Sequence, residues 1–198
     1  MNFFNDNNYS LDFGGDVDYV ELSATDNFDF SDEQQLTISA YVKALGNNEV
    51  IFQAEESFGY YIGTHNEGEF ALTMYFDGYE DLCISSTDIT DGNWHHVVGA
   101  YDGSSIKIYV DGELVKTDTS SPSLTRGMSY DTIGKDDTYG VYEGKFDQVR
   151  IYNGVVSDVG VAELYAETTS QNDDLFLGGP PKSIVSANTN AGFSIVKW

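Results

Sequence analysis

Ile106, Ile108 and Val110 alternate with Lys107 and Tyr109, and the run ends at once in Asp111-Gly112. Alternation with a period of two is the pattern of a half-buried strand. Asp-Gly is the preferred pair for a two-residue type I′ turn, because both central positions need positive φ. A tight hairpin is therefore predicted, with Val110 opposite Glu113 and Ile108 opposite Val115 across the ladder. A hairpin with one apolar face has to bury it against a second layer, so the chain is confined to sheet-containing architectures.

The surrounding sequence repeats the same grammar. Short strands are expected over 49–54, 58–63, 69–76, 80–85, 94–101, 105–110, 113–117, 129–133 and 145–152, separated by Gly, Asp, Asn and Ser clusters. Glu67-Gly68-Glu69 and Asp77-Gly78 read as turns. Ser157-Asp158 followed by Val161, Leu164 and Tyr165 reads as a short capped helix, weakened by Gly160. Fourteen tyrosines and twelve phenylalanines favour strands. No repeat of 20–50 residues and no low-complexity tract is visible.

Several ordered motifs resemble the laminin G-like jelly-roll family of the concanavalin A-like fold. They are Asn93-Trp94-His95-His96-Val97 with Tyr101-Asp102-Gly103, then Tyr109-Val110-Asp111-Gly112. Ser10 to Gly15 with Asp18-Tyr19-Val20 resembles the family's opening strands. Leu36 to Val42 resembles its "TISAWVK" strand, with Tyr41 at the Trp position. Gly144 to Tyr152 resembles its closing strand. The resemblance spans about residues 9–167. It implies an all-β fold, an antiparallel jelly-roll β-sandwich with a short C-terminal helix and an extended tail. Residues 1–167 form the sandwich on this reading, and 168–198 form a linker and the truncated start of a second β-rich segment. The tail from about 176 to 198, ending Ala191-Gly192-Phe193-Ser194-Ile195-Val196-Lys197-Trp198, resembles a segment of marine bacteriophage tail and virion proteins.

Charge narrows the partners. Nine Lys and Arg stand against 33 Asp and Glu, for a net charge of −24. A phosphate backbone or an anionic lipid surface is excluded as a partner, since both are bound by cations. No apolar run is long enough to insert into a membrane. The single cysteine, Cys83, rules out an internal disulfide and reads as a buried small hydrophobe.

Candidate site residues follow from chemistry and from the resemblance. Asp16, Asp18, Asp136 and Asp147 are candidate Ca²⁺ ligands: a hard cation takes carboxylate oxygens. The family resemblance implies an ion that pins the first strand region to the last, at Asp18 and Asp147 above all. The alternative is turn chemistry, in which an Asp simply caps its own loop. Adjacent side chains on a strand face opposite ways, so His95 and His96 cannot share one ion and read as structural. Trp94 is either a core residue, costly to truncate, or an exposed one with a binding role. Tyr139, Tyr142 and Asp137 in one loop, and Tyr75 and Tyr79 flanking another, pair aromatics with acids as a sugar site does.

Glycosidases on such folds use paired carboxylates, but Glu67 and Glu69 read as a turn, so no enzymatic activity is expected. The expected function is a recognition module. It binds glycan or polysaccharide at a host cell surface within a phage tail or fibre protein, in a virion or extracellular, and in a multivalent assembly. The alternatives are a structural virion spacer without a ligand, or a bacterial secreted adhesin module.

Overall fold

The computed structural model describes residues 10–15, 18–22, 30, 34–54, 59–76, 79–119, 124, 131–136 and 140–167. Side chains are described for all of these except 75, 76, 79–81, 136 and 140. The strands are β1 (Leu11–Gly14), β2 (Val20–Leu22), β3 (Leu36–Ala44), β4 (Val50–Ala54) and β5 (Tyr60–Thr64). They continue as β6 (Glu69–Phe76), β7 (Tyr79–Asp88), β8 (His95–Tyr101), β9 (Ile106–Val110) and β10 (Glu113–Asp118). Last come β11 (Asp131–Ile133), β12 (Lys135–Asp136), β13 (Gly140–Val141) and β14 (Glu143–Tyr152), followed by the helix α1 (Asp158–Ala166).

Two six-stranded sheets pack face to face, with strand orders β1-β14-β3-β8-β9-β10 and β2-β11-β4-β5-β6-β7, and every pairing is antiparallel. This is the sandwich expected from the alternating pattern. Between the sheets lie Ile38, Val42, Val97, Ile108, Phe52, Ile62 and Leu72, all fully buried. Phe146 meets Phe13 edge-on at 4.8 Å and stacks on Tyr142 at 4.0 Å, closing one end of the core.

The Asp111-Gly112 turn forms as predicted, with φ of 53° and 81°. Glu113 stands opposite Val110, but the pairing of Ile108 with Val115 does not occur. A bulge between Leu114 and Lys116 moves Lys116 opposite Ile108. One extra residue in the strand displaces every later partner.

The first sheet is covered on its outer side as well. Ser157 caps α1, its hydroxyl accepting from Gly160 N at 3.1 Å. The helix then packs Val161 and Leu164 against Val98, Tyr109 and Val156. Tyr41 donates its hydroxyl to the Tyr165 carbonyl at 2.6 Å, and the Thr37 hydroxyl donates to Gly154 O at 2.8 Å. As a result almost every residue of β3 is buried, on both faces.

Trp94, 42% exposed, is not a core residue. Phe146→Ala is expected to cost roughly 3–5 kcal/mol as a core truncation, and Trp94→Ala less than about 1 kcal/mol. Denaturant unfolding of both variants checks the contrast.

Candidate functional site

With the helix lying on the outer side of one sheet, the outer side of the other carries the partly exposed Tyr61 and Leu82 beside the buried Gln53 and Thr73. Phe52, Ile62, Leu72 and Cys83 stand in register across β4 to β7 and point into the core. The next row, Gln53, Tyr61, Thr73 and Leu82, therefore points outward. At its end lies a cleft of about 180 Å³ lined by Asn48, Glu49, Val50, Tyr61, Thr64, His65, Asn66 and Leu82.

Thr64 builds the cleft wall. Its hydroxyl donates to Gly46 O and accepts from Glu49 N, each at 3.0 Å, while its own N–H donates to Glu49 O at 2.9 Å. Asn47 Nδ2 donates to Asn66 O at 3.1 Å. These bonds fasten the β3–β4 loop to the β5–β6 turn. Gly63 allows the approach: a Cβ there would lie 2.3 Å from the Glu49 carbonyl oxygen. Asn48 and Asn66 stand exposed at the rim, with Tyr61, His65 and Leu82 half-buried below. Asn48 adopts φ of 58°, a conformation asparagine tolerates better than most residues. Thr73, directly between Tyr61 and Leu82, is fully buried and its hydroxyl has no partner.

Glu49 also reaches the other sheet. Its carboxylate packs on Gly46 and faces Glu143, and its Oε2 is buried without a partner. Burial pushes this carboxyl up to about 7 from 4.5. Backbone hydrogen bonds from Glu143 and Gly46 oppose the rise, and the Glu143 charge adds to it. His95 is bridged between Asp111 at 2.9 Å and Asp91 at 3.1 Å. Burial works against its charged form, yet these two carboxylates hold its pKa above the usual histidine value. His96 is fully buried under the Tyr41 ring, and burial, reinforced by Arg150, drives its pKa down to about 4. The two histidines thus have separate structural roles.

The residues singled out from sequence are dispersed. Tyr142 is 0% exposed and belongs to the aromatic core with Phe13 and Phe146, so its expected ligand-binding role is corrected. Its N–H donates to Gly134 O at 2.9 Å, and its ring lies edge-on to Phe13 of β1 at 6.3 Å. Tyr75 and Tyr79 lie on β6 and β7, where Tyr75 pairs with Glu80 and Tyr79 with Phe76; their side chains lie outside the described set. The same holds for the side chain of Asp136, on β12. Asp16, Asp137 and Tyr139 lie outside the described residues altogether.

β1 and β14 are neighbours, as a shared ion at Asp18 and Asp147 requires, but the register separates the two carboxylates. Asp18 accepts from Gly14 N at 2.9 Å, and Gly14 stands opposite Glu143. Asp147 lies four positions further along β14, roughly 13 Å away along the strand. Its Oδ1 is buried without a partner, and the Arg150 charge acts on the same carboxyl. Among the described residues no three His, Cys, Asp or Glu side chains group as a metal site. Asp18 and Asp147 therefore do not fit a shared calcium ion.

Sequence reasoning did not locate the cleft. The signal was the tandem Tyr60-Tyr61, which on a strand must send one ring to each face, Tyr60 into the core and Tyr61 out.

The Glu49 carboxyl generates a pH prediction. A folded pKa above the unfolded value gives a stabilising contribution that is complete below about pH 4.5 and lost as pH rises past about 7. His95, also raised, acts in the same direction. His96, driven down to about 4, acts the opposite way between about pH 4 and 6.5, so the fall should be confined to about pH 6.5–8, and Glu49→Gln should flatten part of it. Urea unfolding of both proteins across this range is the measurement; parallel slopes would remove Glu49 from the account.

Residues 13–162 match the laminin G family model described as the concanavalin A-like lectin/glucanases superfamily. Among curated proteins none matches the chain in sequence. Solved structures resemble it closely in fold. The native heptameric SAP-like pentraxin of Limulus polyphemus superposes with a TM-score of 0.67 at 15% identity, covering 93% of each chain. The CBM40 of the Ruminococcus gnavus IT-sialidase, bound to α2,3-sialyllactose, gives a TM-score of 0.66 at 14% identity, covering 79% of this chain and 96% of that one. Domain 4 of the Geobacillus stearothermophilus arabinanase AbnA, in complex with arabinotriose, gives 0.56 at 21% identity, covering 67% and 66%. At these identities the likeness concerns the fold. The family model spans most of the chain, and the chain belongs to the laminin G family of the concanavalin A-like lectin/glucanases superfamily.

Proposed function

We propose that this domain is a non-catalytic recognition module that binds glycan in the cleft at the ends of β4 and β5. The observation that carries the reading is the composition of that cleft: a half-exposed phenol ring at Tyr61 flanked by the exposed amides of Asn48 and Asn66. A sugar ring lays its C–H face on an aromatic ring, and its hydroxyls pair with groups that both donate and accept. The Thr64 bonds hold this set in place before a ligand arrives, which lowers the ordering cost of binding. Structural relatives bound to sialyllactose and arabinotriose support a glycan as the ligand class.

One observation favours a hydrolytic reading: Glu49 and Glu143 form a carboxylate pair in which Glu49 is shifted to about 7. The unpartnered Glu49 oxygen is shut off from solvent, however, so a glycosidic oxygen has no route to it. The binding reading is the stronger.

A single shallow site of this kind is weak, on the order of millimolar to micromolar. Useful adhesion then comes from several copies on one assembly, for which a phage tail or fibre facing a host surface is the proposed setting. Displayed multivalently on a bead, the protein should retain at least one polysaccharide on a glycan array. Tyr61→Ala should cut retention by roughly tenfold or more. An array on which the wild type retains nothing would leave a spacer domain as the better description.

A further inference from the structure

We infer that the cleft selects uncharged sugars and turns away glycans that carry a carboxylate or a sulfate. The inference rests on the glycan-binding reading above and adds the ligand's charge class to it.

An anionic sugar is recognised by a cation, or by backbone N–H groups left free to converge on it. Among the described residues the cleft lining contains no lysine and no arginine. The imidazole in that lining, His65, has its Nδ1 3.9 Å from the Glu69 carboxylate. That carboxylate is fixed in turn by the Glu67 N–H at 2.8 Å. Four backbone N–H groups of the wall and the adjoining turn are used internally: Glu49 N donates to Thr64 Oγ1, Thr64 N to Glu49 O, His65 N to Glu69 O and Gly68 N to His65 O.

The charges around it are negative. Glu67 and Glu69 belong to the β5–β6 turn, and Asp88 packs against Gly68, where a Cβ would lie 2.3 Å from Asp88 Oδ1. The net charge of −24 over the whole chain adds to this field. An incoming carboxylate would meet like charge and find no partner for its own. A neutral sugar meets the opposite situation. The Asn48 and Asn66 amides each offer donors and an acceptor at the rim.

The test uses oligosaccharides in matched pairs, each neutral member set against the same glycan bearing one terminal sialic acid, uronate or sulfate. Lactose against α2,3-sialyllactose is one such pair. The described chain is displayed multivalently at low ionic strength, where charge effects are least screened. The neutral member of a bound pair should be retained and its acidic partner held about tenfold more weakly or worse. Raising the salt should narrow the gap. Glu67→Lys, at an exposed turn position outside the cleft lining, should close or reverse it without lowering the melting temperature. Acidic members bound as tightly as neutral ones by the wild type, and lost in Tyr61→Ala, would overturn the selectivity while leaving the cleft as the site. Binding that survives Tyr61→Ala in a folded variant would move the sugar elsewhere and overturn the inference with it. Retention of neither member of any pair would overturn the glycan reading itself.

Discussion

Burial of β3 from both sides is the constraint on which the rest of the architecture depends. Ile38, Ala40 and Val42 face the sandwich core, while Thr37, Ser39 and Tyr41 lie beneath the C-terminal helix and the segment leading into it. A polar residue buried this way needs a partner, and each has one. Thr37 bonds Gly154 and Val156, Ser39 pairs with His96 at 2.9 Å, and Tyr41 bonds the last turn of the helix. The helix is therefore anchored by hydrogen bonds as much as by its apolar contacts. By occupying one outer face it covers that side of the sandwich.

So acidic a chain still needs its carboxylates to do structural work. Asp102 accepts from the N–H groups of Ser104 and Ser105 at 2.8 and 2.7 Å, and despite the opposing effect of partial burial its pKa falls to about 2. Asp91 and Asp88 accept from Asn93 N and Thr90 N in the same manner. Scarce cations are placed between elements distant in sequence: Lys145 with Asp12, Lys107 with Asp158, Arg150 with Glu167. Exposed pairs of this type add little stability each. The turn carboxylates, which satisfy backbone donors, matter more to the local shape.

What could be read from the sequence was what short-range chemistry decides. The Asp111-Gly112 turn, the Ser157 cap and most strand positions depend on residues within a few positions of one another, and they formed where expected. The bulge at Val115 did not announce itself, because nothing in Leu114-Val115-Lys116 distinguishes a regular strand from one with an extra residue. Tyr142 was misplaced because its burial depends on contact with Phe13 of β1, more than a hundred residues away in sequence. The cleft was hidden for the same reason. Asn48, Tyr61 and Asn66 look like ordinary turn and strand residues until β4, β5 and β6 are laid side by side.

The bulge has a further effect on β10, which forms one edge of its sheet. An open edge offers unpaired backbone groups to any passing strand, a serious hazard for a β-protein held at high local density. Here the edge strand is mostly exposed, carries Glu113, Lys116 and Asp118, and is bent by its extra residue. Charge and irregularity together deny a neighbouring copy a straight template. Many sandwiches of this kind can then stand side by side without fusing into a continuous fibril.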